Sequence, residues 1–447
     1  MRALRFPTIA TLVGIAAFAA ACGNSGGTTD ALDAVGTDAP PGEFGDVAGT
    51  SDAKDPGPAS DVAPLHDATR TDFVPGPDPD TVSLYDGSQI VEFRLTIAPA
   101  EWAKFEGCWR NPPADVMAQT AKCPWVHCSF VFGTDTIEAA CRPKGNPASW
   151  NVEAKPQFVV KFNEWDPTAR FLGMRRLNLE ANSDHGAPIR DRLAMDLMRD
   201  AGIDASRVNF ARLELNGAKY GLYQNIEPLD REFLEDHFAN PDGNLFDEFE
   251  IQKTNEAVPG IERLWLLNEA IEGEPPGGTH AAFVARMAGW VDMDVILRIM
   301  AVEILLPTID NFKDGGGNFY WYDEPDHGFR IVPWDMDDCM APYGASDQEP
   351  DSCQADAEFS DAPSPLCRII HETPAWDQAV KDYVVAWLDT KYLPLKEQAA
   401  GYCEALRPFI SEEPGSSGDL ERFDKDCARI QAHITARIDF LKTTLGR

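Results

Sequence analysis

The sequence lacks the short catalytic signatures of several large enzyme classes. Residues 81–447 contain no G-x-S-x-G, H-E-x-x-H, G-x-x-x-x-G-K or G-x-G-x-x-G motif. The eight histidines are scattered along the chain. These absences argue against α/β-hydrolases, zinc proteases, P-loop nucleotide hydrolases and Rossmann dehydrogenases.

Positive charge is also scarce. The chain has 39 Lys and Arg against 73 Asp and Glu, which gives a formal net charge of −34. Residues 23–80 carry −10 of this charge and residues 81–447 carry −26. Such a field repels nucleic acid and anionic membrane surfaces, so we expect no nucleic-acid partner.

The N-terminus has the pattern of an export signal. Residues 1–21 combine a basic start with an apolar run that is too short to span a bilayer. Small residues directly before Cys22 resemble a bacterial lipobox, which predicts lipidation of Cys22 and membrane anchoring on the periplasmic or cell-surface side. A plain secretion signal is the alternative. Residues 22–80, acidic and almost without aromatics, are expected to form a disordered tether before a domain at 81–447.

Cysteine spacing fits an exported chain. Besides Cys22 there are nine cysteines, four within residues 108–141 and five within residues 339–427. No C-x-x-C pair is present, so a structural zinc site is not favoured. We expect disulfides within each cluster and one remaining thiol.

The hydrophobic patterns predict an α+β fold. Strand patterns at 90–97, 128–132, 158–162 and 176–180 precede a helix at 189–198 and a hairpin turn at Asn216–Gly217. Helical patterns dominate after residue 260, interrupted by strands at 318–322 and 329–332. We therefore expect a smaller sheet-rich lobe at 81–250 and a larger helical lobe at 251–447, with a ligand cleft between them.

Acidic and amide side chains are concentrated around the late strands. Asp310 precedes one predicted strand, Asn318 begins it, and Asp335 and Asp337 follow the next. Their oxygens are the ligands that Mg²⁺ and Ca²⁺ prefer. Solvated turn residues are the alternative explanation, and the Asp-x-Asp triplet also occurs in metal-dependent glycosyltransferases.

A series of short segments agrees, in the same order along the chain, with the pattern of one known family. The matching segments and residues are 142–149, 155–162, 177–179, 189–194, 210–217, 220–223, Glu227, Asp310, 318–320 and 333–337. Ordered agreement over most of the chain is more specific than any single motif. On these residues, 90–447 resembles the CotH family, the spore-coat-type kinases with an atypical protein-kinase fold.

The resemblance implies a two-lobed kinase-like fold and a role for each candidate residue. Asp310 is similar to the catalytic aspartate that deprotonates an acceptor hydroxyl. Metal ligation, for Mg²⁺ on the phosphates of ATP, is implied for Asn318, Asp335 and Asp337. Nucleotide contact is implied for Lys161, Arg142, Lys144 and Arg190, and positioning of Lys161 for Glu227.

Together these observations predict an exported, Mg²⁺-dependent kinase that phosphorylates Ser or Thr hydroxyls of envelope or surface proteins. The alternative is a non-catalytic surface-binding or adhesion module that holds Ca²⁺ or Mg²⁺ at the acidic cluster. The predicted partners are a nucleotide, a protein acceptor and, through the lipid anchor, the membrane.

Overall fold

The computed structural model describes residues 84–447 apart from 88, 151, 182–185, 259, 309–310, 314–316, 326, 339, 341–363 and 414–418. These residues belong to one unit of the chain, Leu65–Arg447. The predicted signal, Cys22, the tether at 22–80 and Asp310 lie outside the described residues.

Seven strands form a closed barrel in the described N-terminal part of the chain, in the order β1-β2-β3-β4-β5-β7-β6. Closure comes from parallel pairing of the first strand with the sixth, in which Val91 lies opposite Ala211. The strands are β1 (Val91–Thr96), β2 (Val126–Phe132), β3 (Asp135–Pro143), β4 (Phe158–Lys161), β5 (Arg176–Glu180), β6 (Val208–Leu215) and β7 (Ala218–Ile226).

Alternation along the strands fills the barrel with apolar side chains. In β1, every second residue from Val91 is buried and the others are exposed, as expected for a strand with one face toward a core. Aromatic rings dominate the interior; Phe93, Phe130, Phe158 and Phe162 are fully buried.

Two disulfides stabilise the barrel region and a third joins two C-terminal helices. Cys108 pairs with Cys123, Cys128 with Cys141 and Cys403 with Cys427. All three pairs lie within the predicted clusters. Cys367 is buried and has no disulfide partner among the described residues, while Cys339 and Cys353 lie outside them.

Helices make up most of the remaining described chain. Helix α7 is apolar on nearly every side and lies at the centre of the largest hydrophobic core. The α-helices are α1 (Pro99–Arg110), α2 (Ala114–Met117), α3 (Arg190–Asp200), α4 (Arg231–His237), α5 (Ile261–Glu272), α6 (Ala281–Met287), α7 (Met293–Leu305), α8 (Pro365–Glu372), α9 (Pro374–Trp387), α10 (Leu395–Leu406) and α11 (Leu420–Thr444). None of the described helices is long and apolar enough to cross a membrane.

A second, three-stranded sheet lies among the helices. It is formed by β8 (Asn244–Asp247), β9 (Phe319–Glu324) and β10 (Gly328–Pro333), with β9 in the centre. Strands β9 and β10 form an antiparallel hairpin in which Phe319 lies opposite Pro333. The open end of this hairpin therefore holds the residues just before β9 and just after β10.

A short segment attaches the C-terminal helices to the barrel. The 3-10 helix Arg407–Glu412 follows α10, and the next residue, Glu413, accepts hydrogen bonds from the Lys155 ammonium and the Leu222 backbone N–H. Lys155 is 3% exposed, so this ion pair is buried. We call residues 407–413 the strap.

The observed elements agree with the mixed α+β prediction. The Asn216–Gly217 turn joins β6 and β7, and both residues have the positive φ that such a two-residue turn requires. Helices dominate the described chain after residue 260, as the hydrophobic patterns predicted. Helix α1, strands β3 and β8 and the closure of the barrel were not predicted from the sequence.

Candidate functional site

Three carboxylates converge at the open end of the β9–β10 hairpin. Asp191, Asp335 and Asp337 each offer an oxygen, and these three atoms lie within 4.8 Å of one another. Asp335 has a φ of 50°, in the left-handed region, which bends the chain after β10. The structure thus brings together the predicted pair Asp335 and Asp337, as a bend after the strand allows.

Asp191 is a member of the cluster that sequence reasoning missed. It is the second residue of α3 and is fully buried. One of its oxygens accepts the Met336 backbone N–H at 3.0 Å, and the other accepts the Gln224 amide at 3.3 Å. These bonds connect the start of α3 to the chain between Asp335 and Asp337.

A buried ion pair lies beside the three carboxylates. The Lys144 ammonium, just after β3, donates to the Glu180 carboxylate at the end of β5. Burial opposes the charge of Lys144, but the negative charges of Glu180, Asp335 and Asp191 raise the pKa of Lys144 to about 12. Lys144 is therefore a permanent cation facing the cluster, and its ammonium lies 5.5 Å from the centre of the Trp334 ring.

Excess negative charge remains at the cluster even with Lys144 present. Burial and the nearby carboxylates of Asp337, Asp191 and Glu180 hold the pKa of Asp335 well above its usual value, although Lys144 acts in the opposite direction. A group in such surroundings gains from a further cation. The donor atoms are all carboxylate oxygens, which fits a hard divalent cation such as Mg²⁺ or Ca²⁺.

Asn318 lies at the same end of the hairpin. Its backbone carbonyl accepts the Trp334 N–H at 2.9 Å, which places it next to the residue before Asp335. Asn318 also has a positive φ, 56°. Both predicted metal ligands that flank the hairpin are thus held in the left-handed conformation, which is costly outside glycine and concentrates at functional sites.

The chain on either side of Asp310 contacts the loop after β10. The Thr308 hydroxyl donates to the Asp338 carbonyl at 3.0 Å, and the Asn311 amide lies 2.9 Å from the Met336 sulfur. Asp310 itself lies outside the described residues.

Two of the predicted nucleotide-contacting cations lie over the Trp125 ring. The Arg142 guanidinium is 4.1 Å from the centre of the Trp125 ring, and the Lys161 ammonium is 5.4 Å from it. Lys161 pairs with Glu164 at 2.6 Å. Lys144, rather than Lys161, is the cation that faces the acidic cluster in this structure.

Arg190 and Glu227 have buried partners of their own. Arg190 forms a two-pronged pair with Asp426, at 2.6 and 2.8 Å, that links α3 to α11. Glu227 accepts from Arg207 and lies 3.1 Å from the His237 ring nitrogen. Glu227 is therefore paired with Arg207 rather than with Lys161, while nucleotide contact by any of these residues stays a prediction.

Comparison with known families identifies the class of protein that carries this site. The family described as CotH kinase protein matches residues 142–441, a range that includes Lys144, Asp191, Asp335 and Asp337. The chain belongs to the CotH kinase protein family. The resemblance seen in the sequence is confirmed.

The individual proteins that match this chain share little sequence identity with it. The chain is 24% identical over 299 residues to the inner spore coat protein H of Bacillus subtilis (strain 168), a match that covers 62% of this chain and 80% of that protein. A solved structure of the HipA, HipB and operator DNA complex, a toxin–antitoxin system of Shewanella oneidensis MR-1, matches 66% of this chain at 11% identity. That match spans 62% of the solved chain, less than two thirds, and its TM-score of 0.26 does not establish a shared fold.

Proposed function

We propose that this protein is an exported, Mg²⁺-dependent kinase that transfers phosphate from ATP to Ser or Thr hydroxyls of envelope or surface proteins. The observation that carries the proposal is the convergence of Asp191, Asp335 and Asp337 within 4.8 Å beside the Lys144–Glu180 ion pair. Membership of the CotH kinase protein family and the α+β architecture support it.

The residues divide the work of phosphoryl transfer between them. Asp335, Asp337 and Asp191, with Asn318 beside them, would hold Mg²⁺, which when bound neutralises charge on the phosphate oxygens. Lys144 binds and orients a phosphate group, and Glu180 fixes the position of Lys144. Asp310 accepts the proton of the acceptor hydroxyl while the hydroxyl oxygen attacks the γ-phosphorus of ATP. The bond from that phosphorus to the β-phosphate oxygen breaks, and ADP leaves.

Export is supported by the disulfides and by the relative. The described residues contain three disulfides, which are typical of an oxidising compartment. The matched Bacillus subtilis protein is named as an inner spore coat protein. In the proposal, lipidated Cys22 anchors the protein to the membrane and the acidic residues 22–80 hold the domain away from it.

Radioactive labelling tests the transfer. Full-length protein incubated with Mg²⁺ and γ-labelled ATP is expected to label itself or a Ser-rich protein substrate. Asp335→Asn and Asp310→Asn should each reduce the labelling rate by at least about a hundredfold. The control Asp382→Asn changes an exposed aspartate of α9 and should label normally. Labelling by Asp335→Asn at the wild-type rate would refute the proposal.

A non-catalytic surface module that holds Ca²⁺ is the second candidate, because the same carboxylate set also fits Ca²⁺. Thermal melting separates the two. The kinase proposal predicts that Mg²⁺ with a non-hydrolysable ATP analogue raises the melting temperature, and that Asp191→Asn, which keeps an oxygen acceptor for Met336 N–H, removes most of the rise. Stabilisation by Ca²⁺ alone, with no effect of nucleotide, would favour the module.

A further inference from the structure

Four large apolar side chains are exposed, two just after the end of β8 and two at successive positions of α5. Phe249 is 68% exposed, Ile251 55%, Trp265 52% and Leu266 53%. Single exposed apolar residues need no explanation, but a group of four does. We call these four side chains the apolar patch.

Glu250 ties the two parts of the apolar patch together. Its carboxylate accepts the Trp265 indole N–H and the Asn268 amide, both at 2.7 Å. Because Glu250 lies between Phe249 and Ile251 in the chain, these bonds place both residues beside the exposed side of α5.

The turn that carries Phe249 and Ile251 is fixed by polar contacts rather than by burial of its apolar side chains. One oxygen of Asp247 accepts the backbone N–H groups of both Phe249 and Ile251, at 3.1 and 2.8 Å. Glu250 has a φ of 63°, a conformation that is uncommon for this residue type. The polar frame therefore holds apolar side chains outward, as in a preorganised binding surface.

The apolar patch lies next to the candidate active site. Asp247 pairs with Tyr320 in the β8–β9 register, two residues from Asn318. Glu248 packs against Gly317, such that a β-carbon on Gly317 would lie 3.3 Å from the Glu248 side chain. Phe249 and Ile251 therefore follow closely the part of the chain that contacts the neighbours of Asn318. A segment bound over these two side chains would lie near this predicted metal ligand.

The charge around the apolar patch selects the occupant. Residues 247–269 contain six acidic and two basic side chains. The two basic ones are already paired, Lys253 with Asp247 at 2.5 Å and Arg263 with Asp323 at 3.1 Å. The acidic residues 23–80, a second copy of the −26 domain and an anionic membrane are all repelled by this rim.

We propose that the apolar patch is the docking surface for the acceptor protein, and that it binds a segment with apolar side chains flanked by Lys or Arg. The identification of the bound protein as the acceptor rests on the proposed kinase function. Binding to the apolar patch itself does not depend on phosphate transfer. The apolar side chains supply affinity and the acidic rim supplies orientation and selectivity.

Peptide binding tests the surface directly. The probe is a fluorescent peptide of about twenty residues, the length of segment that one side of a standard interface accommodates, with Leu and Phe flanked by Lys and Arg around one Ser. Fluorescence anisotropy with the full-length protein, without nucleotide, gives its Kd. The double variant Phe249→Ser with Ile251→Ser is expected to weaken binding at least about tenfold. The control Leu393→Ser changes a residue that is 42% exposed elsewhere and should bind as wild type does.

Two further arms test the charge and separate this proposal from the kinase function. A peptide with Glu in place of Lys and Arg should bind at least about tenfold more weakly. Asp335→Asn should bind the probe as wild type does while losing transfer. Equal binding of both peptides, or wild-type binding by the double variant, would overturn the docking proposal. Docking without any transfer would instead refute the kinase function and leave the surface in place.

Discussion

Glu227 is a buried carboxylate whose charge the fold requires. It is 3% exposed and contacts Arg207 and His237. Burial acts to raise the pKa of Glu227, but His237 and Arg207 outweigh it and lower that pKa to about 2 from its usual 4.5. The difference corresponds to about 3 kcal/mol of stability at neutral pH.

The sign of this shift predicts acid sensitivity. Since the pKa of Glu227 is lower in the folded protein than in the unfolded chain, its contribution is complete above about pH 4.5 and is lost as the pH falls toward 2. Glu227→Gln should lower the free energy of unfolding by about 3 kcal/mol at pH 7, and the gap should narrow by about half at pH 3. Urea denaturation at pH 7 and at pH 3 measures the difference in the free energy of unfolding between the variant and the wild type.

An exposed ion pair provides the matched control for Glu227→Gln. Glu92 pairs with Arg212, and its side chain is 67% exposed. Glu92→Gln should therefore change the free energy of unfolding by no more than about 0.5 kcal/mol. A Glu227→Gln effect as small as this would contradict the role assigned to Glu227.

The candidate site was only partly predictable at the residue scale. Asp335 and Asp337 stand out in sequence because they follow an apolar strand closely, and the structure brings them together. Asp191 reads as an ordinary polar residue at a helix start, and only the tertiary fold brings it to the other two. The choice between Lys144 and Lys161 likewise depends on which end of the barrel strands faces the loop after β10, which spacing does not encode.

At the scale of elements, the strap holds the C-terminal helices against the barrel through one glycine. Gly221 in β7 has a φ of 108°, and a β-carbon there would lie 2.6 Å from a carboxylate oxygen of Glu413. Glycine at 221 therefore admits both the backbone conformation and the close approach of the strap. The disulfide Cys403–Cys427 links α10 and α11 on either side of the strap.

Substituting this glycine should loosen the attachment. Gly221→Ala is expected to lower the free energy of unfolding by about 3 kcal/mol, because strain at positive φ adds to the cost of moving the Glu413 carboxylate away from Lys155 and the Leu222 N–H. Gly217→Ala is the control: Gly217 also has a positive φ, 79°, but has no atoms within 4 Å of the added carbon, so its cost should be about 1 kcal/mol. Equal losses of unfolding free energy in the two variants, measured by chemical denaturation, would show that the contact between Gly221 and the strap is unimportant.

Elements with local signals were predictable and those with distant partners were not. The Asn-Gly turn and the long periodic helices α5 and α7 carry their information in neighbouring residues. Strand β8 is four residues long and pairs with β9 far along the chain. The pairing of β1 with β6 is also distant, so barrel closure had no local signature.

At the scale of the whole molecule, the excess of acid affects both stability and ligand binding. A net charge of −34 produces self-repulsion that opposes the compact state. The structure relieves part of it with buried pairs such as Arg190–Asp426 and Lys144–Glu180. The rest remains on the surface, where salt screens it over about 10 Å at 0.1 M.

Thermal stability should therefore increase with ionic strength. The melting temperature of the full-length protein is expected to rise by a few degrees between low and moderate NaCl, measured by scanning calorimetry. Changing the exposed acids Glu256 and Glu269 to glutamine should raise the melting temperature at low salt and reduce the dependence on salt. A melting temperature that falls as NaCl increases would contradict the self-repulsion argument.

The parallel pairing of β1 with β6 also sets the order in which the chain can fold. Val91 meets Ala211 more than a hundred residues later, and β7 must join β6 to β5, so the barrel cannot close until β7 has been synthesised. Contacts this distant in sequence slow folding. Until the barrel closes, its open strand edges can pair with other chains and aggregate. Barrel closure is thus the expected slow step of refolding, and the chain up to β5 is the stretch most in need of a chaperone.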